Sequence, residues 1–281
     1  MRRIIIGIAS VITLATIGGS MLLLRPNAIA ERQQYSVPTL SAEQAMAVKE
    51  TRIFFAHQSV GQSLIDAVPD VFSDATDMMP IVATFTGDTV PQDATLIESP
   101  IGTNGDPLGK IAAFDQIIRA GLAADIEVAI LKLCYIDINA STDTEALFEA
   151  YNRTLADLER DFPEVTFIFA TAPLMYEPDL VTRAKVFLGR DSELDPRHNV
   201  ARHHFNELVR EAYGDTGRLF DIAKMESAGS DGIVETKRSD TERYLALDRT
   251  IAVDPGHLTP EGAARISEAL LAIVASAIDD E

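Results

Sequence analysis

The strongest constraint on the fold is a series of apolar, strand-like runs separated by amphipathic helical patterns. Two runs, Ile126 to Leu133 and Val165 to Ala170, are largely apolar, as expected for strands covered on both faces of a parallel sheet. Helical periodicity occupies Glu145 to Asp161 between them and Thr259 to Ile278 near the end of the chain. This alternation predicts one α/β domain with a three-layer, doubly wound and mainly parallel sheet.

Further segments extend the same alternation. Strands are predicted at 52–56, 80–85 and 218–222, and helices at 63–68, 108–122 and 196–213. Residues 86–107 are rich in Gly, Pro, Asp and Thr and are predicted as a long loop. Residues 223–253 are polar, and because long loops in compact domains are usually functional or partly disordered, we interpret them as a candidate lid.

The first thirty residues differ from the rest of the chain. Arg2 and Arg3 precede an uncharged, largely apolar run from Ile4 to Leu24, and Ala28-Ile29-Ala30 is typical of a cleavage site. Residues 1–30 therefore form either a cleaved signal peptide or a membrane anchor, since about 20 apolar residues are enough to span a bilayer. Both interpretations predict export to a periplasmic or extracellular location, with a membrane tether in the second case.

The remaining residues divide into two parts. Residues 31–50 are predicted as a linker that ends in a short helix, with Ser41 and Gln44 spaced as a capping box. Residues 51–281 form the predicted domain. Removing residues 1–30, which hold three arginines and no acidic residue, changes the formal net charge from −19 to −22. A surface this acidic repels nucleic acid and anionic lipid, so nucleic acid is excluded as a partner.

Cys134 is the single cysteine, so the chain forms no internal disulfide. It lies at the end of an apolar run and is interpreted as a buried small hydrophobic residue.

The segment that most suggests chemistry runs from Asp254 to Gly262. Asp254 and His257 are three residues apart on a Pro-Gly turn, directly before the terminal helix. A carboxylate that accepts a hydrogen bond from one ring nitrogen fixes the histidine tautomer and leaves the other nitrogen as a base. The alternative is a turn with an ordinary capping residue.

A candidate nucleophile, Ser59, follows the strand predicted at 52–56 and precedes a helical pattern. Open α/β sheets place their sites at the carboxyl ends of strands, and backbone N–H groups at a helix start stabilise an oxyanion. An N-cap role is the competing interpretation.

These segments resemble the SGNH (GDSL-like) hydrolase superfamily, which has an SGNH/flavodoxin-like fold. The stretch from Asp254 to Gly262 is similar to the last block of that family, and His57-Gln58-Ser59-Val60-Gly61 stands at its first block. The chain also resembles a bacterial subgroup with that first block and a Lys-x-Cys-Tyr-x-Asp segment, matched by Lys132 to Asp137. The resemblance covers about 52–278 and implies that Ser59 is the nucleophile, His257 the base and Asp254 its orienting carboxylate.

The resemblance breaks down at the oxyanion hole. The family uses a glycine from its second block and an asparagine from its third, and Ile136 stands where that asparagine is expected. Ser59 and Gly105 would offer backbone N–H groups, and Asn104 or Asn139 would offer an amide donor. Turn chemistry is the competing interpretation for both asparagines.

His57 and Tyr135 are predicted to line the substrate pocket. His57 is two positions from Ser59 and shares a face with it in an extended turn, although a histidine bonded to local backbone is equally consistent.

The sequence thus predicts an exported serine esterase of the SGNH type, acting on a carboxylic ester such as an O-acetyl group of a glycan. Three alternatives remain open: an O-acyltransferase that uses the same serine, a non-catalytic carbohydrate-binding or scaffold module, and a metal-dependent hydrolase. No cofactor and no metal are predicted, because no phosphate-binding glycine motif and no Cys/His zinc spacing is present. The oligomeric state does not follow from the sequence.

Overall fold

The computed structural model describes residues 29–87, 89–190, 192–239 and 242–279, so the predicted leader lies almost entirely outside the described residues. A central sheet of parallel strands forms the middle layer. Its strands are β2 (Ile53–His57), β3 (Val82–Thr84), β4 (Leu96–Pro100), β5 (Val128–Leu131), β6 (Thr166–Ala170) and β7 (Leu219–Phe220). They are arranged in the order β3-β4-β2-β5-β6-β7, and every neighbouring pair is parallel.

Helices cover both faces of this sheet. They are α1 (Ala42–Glu50), α2 (Val60–Asp66), α3 (Val68–Val71), α4 (Pro107–Arg119), α5 (Thr144–Asp161), α6 (Leu180–Phe187), α7 (Pro196–Tyr213), α8 (Ile222–Ser227) and α9 (Pro260–Asp279). The apolar side chains of α1, α2, α3, α8 and α9 form one core, and those of α4, α5 and α7 form the other. Alternate β2 residues point into each core, with Phe55 in the first and Phe54 in the second. The predicted three-layer, doubly wound α/β architecture is therefore confirmed.

The strand order reverses beside β2. From β2 the chain first builds β3 and β4 on one side and then crosses to β5 on the other. In open α/β sheets a crevice forms at the carboxyl ends of the strands where the order reverses, and ligands bind there. In this chain that position is shared by the ends of β2 and β5, which are followed by Ser59 and Tyr135 respectively.

Strand β4 corrects the prediction of a loop over 86–107. Its residues are buried up to Ser99, but Glu98 and Ser99 interrupt the apolar pattern that identifies a strand. Both polar side chains are satisfied inside the fold. The Ser99 hydroxyl donates to the carbonyl of Phe85 at 3.1 Å, and the Glu98 carboxylate accepts hydrogen bonds from Thr84 and His57.

A second, antiparallel sheet occupies much of the segment 223–253, which was predicted as a polar loop and a candidate lid. That segment contains α8, β8 (Ile233–Arg238) and β9 (Arg243–Tyr244), and β8 also pairs with β1 (Ile29–Gln34). Tyr244 is fully buried and anchors this sheet to the rest of the domain. The apolar residues of the segment 223–253 are scattered among charged ones, so its sequence is typical of a loop.

The predicted linker, 31–50, contributes a strand to the antiparallel sheet and a helix to the main domain. Its first residues belong to β1, and α1 packs against α9 with Ala45 and Val48 buried. The predicted capping box is confirmed: Ser41 Oγ accepts from the N–H of Gln44 at 3.1 Å, and Gln44 Oε1 accepts from the N–H of Ser41 at 2.9 Å. Within the described residues, no helix combines the length and apolarity needed to cross a bilayer.

Candidate active site at the end of the central strand

Ser59 occupies a sharp turn between β2 and α2. Its backbone has φ 50° and ψ −109°, and among the described residues it is the one non-glycine with a positive φ. A conformation of this kind costs about 1–3 kcal/mol and persists where surrounding structure imposes it. Gly61 makes the turn feasible, because a Cβ there would lie 2.4 Å from the Cβ of His57. Helix α2 therefore begins close to the end of β2, and Ser59 lies on the turn between them.

The loop before α9 holds Asp254 and His257 in a fixed relation. Asp254 Oδ1 accepts from the backbone N–H groups of Gly256 and His257, each at 2.9 Å. Its carboxylate also lies 2.8 Å from His257 Nδ1. Although its partial burial acts the other way, these bonds hold the pKa of the Asp254 carboxyl below its usual value. Asp254 is thus an ionised acceptor for the imidazole.

The side chains of Ser59 and His257 are in hydrogen-bond contact, which links the turn after β2 to the loop before α9. Ser59 Oγ lies 2.8 Å from His257 Nε2. Because Nδ1 faces the Asp254 carboxylate, the proton belongs on Nδ1 and Nε2 is left to accept the serine hydroxyl proton. The His257 and Asp254 side chains retain 36% and 49% of their exposure, so the cluster is open to solvent and to a substrate.

Tyr135 packs against the same histidine. Its ring meets the His257 imidazole edge to face, with the centroids 5.7 Å apart. A side chain at Gly256 is excluded by this ring, since a Cβ there would lie 2.6 Å from two of its carbons. Arg202 Nε donates to the Tyr135 carbonyl at 2.7 Å. Burial and the negative charge of Asp254 raise the pKa of the Tyr135 phenol, which therefore stays protonated beside the candidate site.

His57 does not occupy the predicted pocket position. Its side chain is 1% exposed and lies beneath Gly61, with Nε2 3.1 Å from Glu98 Oε2. Burial, with a contribution from the charge of Lys132, lowers the pKa of His57 to about 3, so the imidazole is neutral. The prediction that His57 lines the substrate pocket is at odds with this placement, because β2 directs the side chain into the protein.

The predicted oxyanion donors are used in different ways. The N–H of Gly105 donates to Asp137 Oδ1 at 2.8 Å, and Asn139 Oδ1 accepts from the N–H of Ser141 at 2.9 Å, an ordinary Asx turn. Asn104 Oδ1 accepts from Lys110 Nζ at 2.8 Å, which leaves the amide NH₂ to point elsewhere. Among the described contacts, the side-chain oxygens of Asn104 and Asn139 act as acceptors, and the amide NH₂ of each is not used.

A buried ion pair beneath this loop was missed from the sequence. Lys110 Nζ lies 2.7 Å from Asp137 Oδ2, and both side chains are fully buried. The same carboxylate accepts from the backbone N–H of Cys134 at 2.6 Å, so it joins the loop after β5 to α4. Lys110 shares its helix face with Phe114 at i+4, and this spacing was the available sign that the lysine is buried.

Among the described residues, no group of three or more His, Cys, Asp or Glu side chains is arranged to hold a metal ion.

Comparison with known proteins gives a likeness of fold at low identity. No family model and no curated protein matches the chain. One solved structure with a likeness is a Streptococcus pneumonia protein provisionally named a platelet activating factor, with 13% identity, TM-score 0.40, and coverage of 81% of this chain and 87% of that chain. Another is the periplasmic domain of a lipopolysaccharide acetyltransferase from Salmonella ser. Paratyphi A, with 14% identity, TM-score 0.43, and the same two coverages.

Proposed function

We propose that this chain is an exported serine esterase of the SGNH type, in which Ser59, His257 and Asp254 act as a catalytic triad. The observation that carries the proposal is the continuous pair of contacts from Ser59 Oγ to His257 Nε2 and from His257 Nδ1 to Asp254, each 2.8 Å at its shortest. Ser59 is about 200 residues from the other two in sequence, and this alignment is what nucleophilic catalysis requires.

In the first half-reaction, Ser59 Oγ attacks the ester carbonyl carbon while His257 Nε2 takes the hydroxyl proton. The carbonyl π electrons move to oxygen and give a tetrahedral oxyanion. When that oxyanion collapses, the bond to the leaving oxygen breaks and His257 donates its proton to the departing alcohol. Asp254 stabilises the imidazolium throughout and stays ionised.

In the second half-reaction, water loses a proton to His257 and attacks the acyl-serine. The acid is released and Ser59 regains its proton. If an alcohol takes the place of water, the same steps transfer the acyl group, which is the acyltransferase alternative.

The oxyanion requires donors that are already in place. The N–H of Ser59 at the start of α2 and the unused amide of Asn104 are the candidates. Asn104 lies on a loop held against the turn, since Gln58 Nε2 donates to the carbonyl of Gly102 at 3.2 Å. Loss of one such donor typically costs about 10²–10³ in rate.

The substrate class rests on the site and on the predicted leader. A partly exposed serine and histidine suit an ester on the outside of a larger molecule, and the leader predicts a location outside the cytoplasmic membrane. An O-acetyl group on a glycan meets both conditions.

The decisive experiment is labelling of the full chain with a fluorophosphonate probe, followed by mass mapping of the modified residue. We expect modification of Ser59 in the wild type and none in Ser59→Ala. Hydrolysis of p-nitrophenyl acetate should fall to background in the same variant. Labelling elsewhere, or equal hydrolysis by both proteins, would refute the triad.

One observation favours a non-catalytic binding module instead. The N–H of Gly105, a predicted oxyanion donor, is bonded to the buried carboxylate of Asp137. This alternative predicts no labelling of Ser59 and binding of an acetylated glycan that survives the Ser59→Ala substitution.

A further inference from the structure

Lys132 is a wholly buried lysine that the proposed triad does not use. It follows β5 directly, is 0% exposed, and its ammonium group donates to the backbone carbonyl of Gln58 at 2.9 Å. Gln58 is the residue immediately before Ser59. The lysine therefore lies beneath the turn that carries the candidate nucleophile, on the side away from solvent.

The contact acts on a specific peptide group. The carbonyl of Gln58 and the N–H of Ser59 belong to one planar trans unit, in which the oxygen and the hydrogen point in opposite directions. Holding the oxygen toward the interior therefore aims the N–H outward, on the side of the solvent-exposed site. Among the described residues no acceptor takes this N–H, so it is available to a substrate oxygen.

Three donors converge on the Gln58 carbonyl. Besides Lys132 Nζ, the N–H of Gly61 donates to it at 3.1 Å and the thiol of Cys134 at 3.3 Å. A carbonyl oxygen with two lone pairs is thus fully engaged. The strained backbone of Ser59 is fixed from both sides, by the start of α2 on one and by β5 on the other.

From this geometry we infer that Lys132 is a positioning residue, whose ammonium group fixes and polarises the Gln58–Ser59 peptide so that the Ser59 N–H serves as the principal oxyanion donor. A hydrogen bond from an ammonium group to the carbonyl oxygen withdraws electron density from the amide. The N–H of the same amide then becomes a stronger donor. This inference rests on the proposed function.

Burying the Lys132 ammonium group carries a large desolvation cost. Burial lowers the pKa of the Lys132 ammonium group, and Cys134 and then Glu226 act in the opposite direction. A methionine of similar volume would fill the site without the desolvation cost, and such replacements of buried charges are often neutral or stabilising. The presence of a lysine next to Ser59 is therefore better explained by what its hydrogen bond does to the Gln58–Ser59 peptide than by packing.

The test is Lys132→Met, with activity normalised to the Ser59 sites titrated by the fluorophosphonate. We expect kcat for p-nitrophenyl acetate to fall about 10–100-fold, up to the range known for loss of one oxyanion donor, with KM changed less than about twofold. Inhibition by phenylboronic acid, whose tetrahedral adduct places an oxygen in the oxyanion hole, should weaken by a similar factor. A purely structural role for Lys132 would not produce this parallel loss.

Two further variants keep the inference falsifiable. Cys134→Ala removes the weaker thiol donor from the same carbonyl and leaves the Lys132 hydrogen bond, so less than a threefold change in kcat is expected. Lys132→Gln gives a second neutral side chain if the methionine variant does not fold, and the same loss of kcat and of boronate affinity is expected.

The outcomes separate the two proposals. Unchanged kcat in a folded Lys132 variant, or boronate affinity that stays at the wild-type value while kcat falls, overturns the role of Lys132 and leaves the triad intact. Full activity in Ser59→Ala overturns the triad itself.

Discussion

Two histidine–carboxylate pairs lie on either side of the Ser59 turn, and they differ in what they can do. His57 and Glu98 are 3.1 Å apart and almost completely buried, whereas His257 and Asp254 are 2.8 Å apart and a third to a half exposed. Only His257 contacts the serine hydroxyl. A histidine paired with a carboxylate is therefore not sufficient evidence of a base.

The difference arises from the backbone that carries each pair. His57 ends a parallel strand, and its side chain is enclosed between Glu98 on β4 and the start of α2. His257 lies on a short loop whose carboxylate also binds two backbone N–H groups, so the imidazole is fixed without being enclosed. The first arrangement stabilises the fold, and the second leaves Nε2 able to exchange a proton with a substrate.

The largest expected effect comes from His257→Ala. If His257 is the base, its removal should lower kcat/KM for p-nitrophenyl acetate by about 10⁴–10⁶, as in hydrolases with an established triad, while the melting temperature stays within a few degrees. The matched control is His57→Gln, which keeps a donor for Glu98 and should retain most of the activity of the folded protein. Equal losses of activity in the two variants would contradict the division of roles.

A smaller loss is expected from Asp254→Asn. The amide no longer stabilises the imidazolium, and this substitution at a buried aspartate of a triad costs about 10⁴ in kcat. Because Asp254 is 49% exposed, water can replace part of its effect, and we expect a loss of about 10²–10³. Steady-state kinetics at neutral pH measure the difference, and a change of less than threefold would show that Asp254 does not orient the base.

The smallest effect should appear in the pH dependence of stability. The pKa of His57 falls from 6.5 to about 3 on folding, so between these values the unfolded chain binds a proton that the folded chain does not. The contribution of His57 to stability is therefore complete above about pH 6.5 and is lost as the pH falls toward 3. Urea unfolding of the wild type and His57→Gln should converge over this range; parallel curves would show that His57 does not titrate as inferred.

Much of the fold was predictable because apolar periodicity reports burial directly. The buried faces of the elements that became β5, β6, α5 and α9 are almost wholly apolar, and their polar members, such as Thr166 in β6 and Ser267 in α9, are small. Strand β4 was missed because its buried Glu98 and Ser99 are satisfied by residues distant in sequence. Their partners are fixed only once neighbouring strands have paired.

Contacts between residues distant in sequence also limit what the sequence predicts about the site. Ser59, His257 and Asp254 could be named because their residue types and positions in the predicted topology suit one reaction. The hydrogen-bond partners of Lys110 and Lys132 could not be predicted, since these are a carboxylate and a carbonyl brought by other strands and loops. Gly105 was assigned as a donor from its position, whereas Asp137 competes for the same N–H.

The pairing of β1 with β8 bears on how far the domain could travel from a membrane. Strand β1 starts at Ile29, whereas the apolar run of the predicted leader ends at Leu24. Five residue steps, even fully extended, span at most about 17 Å. If that run stays in a bilayer, the domain is confined to the layer of water next to the lipid headgroups, with too little slack to sample more distant substrates. Cleavage after Ala30 would instead cut within β1 and release the whole domain.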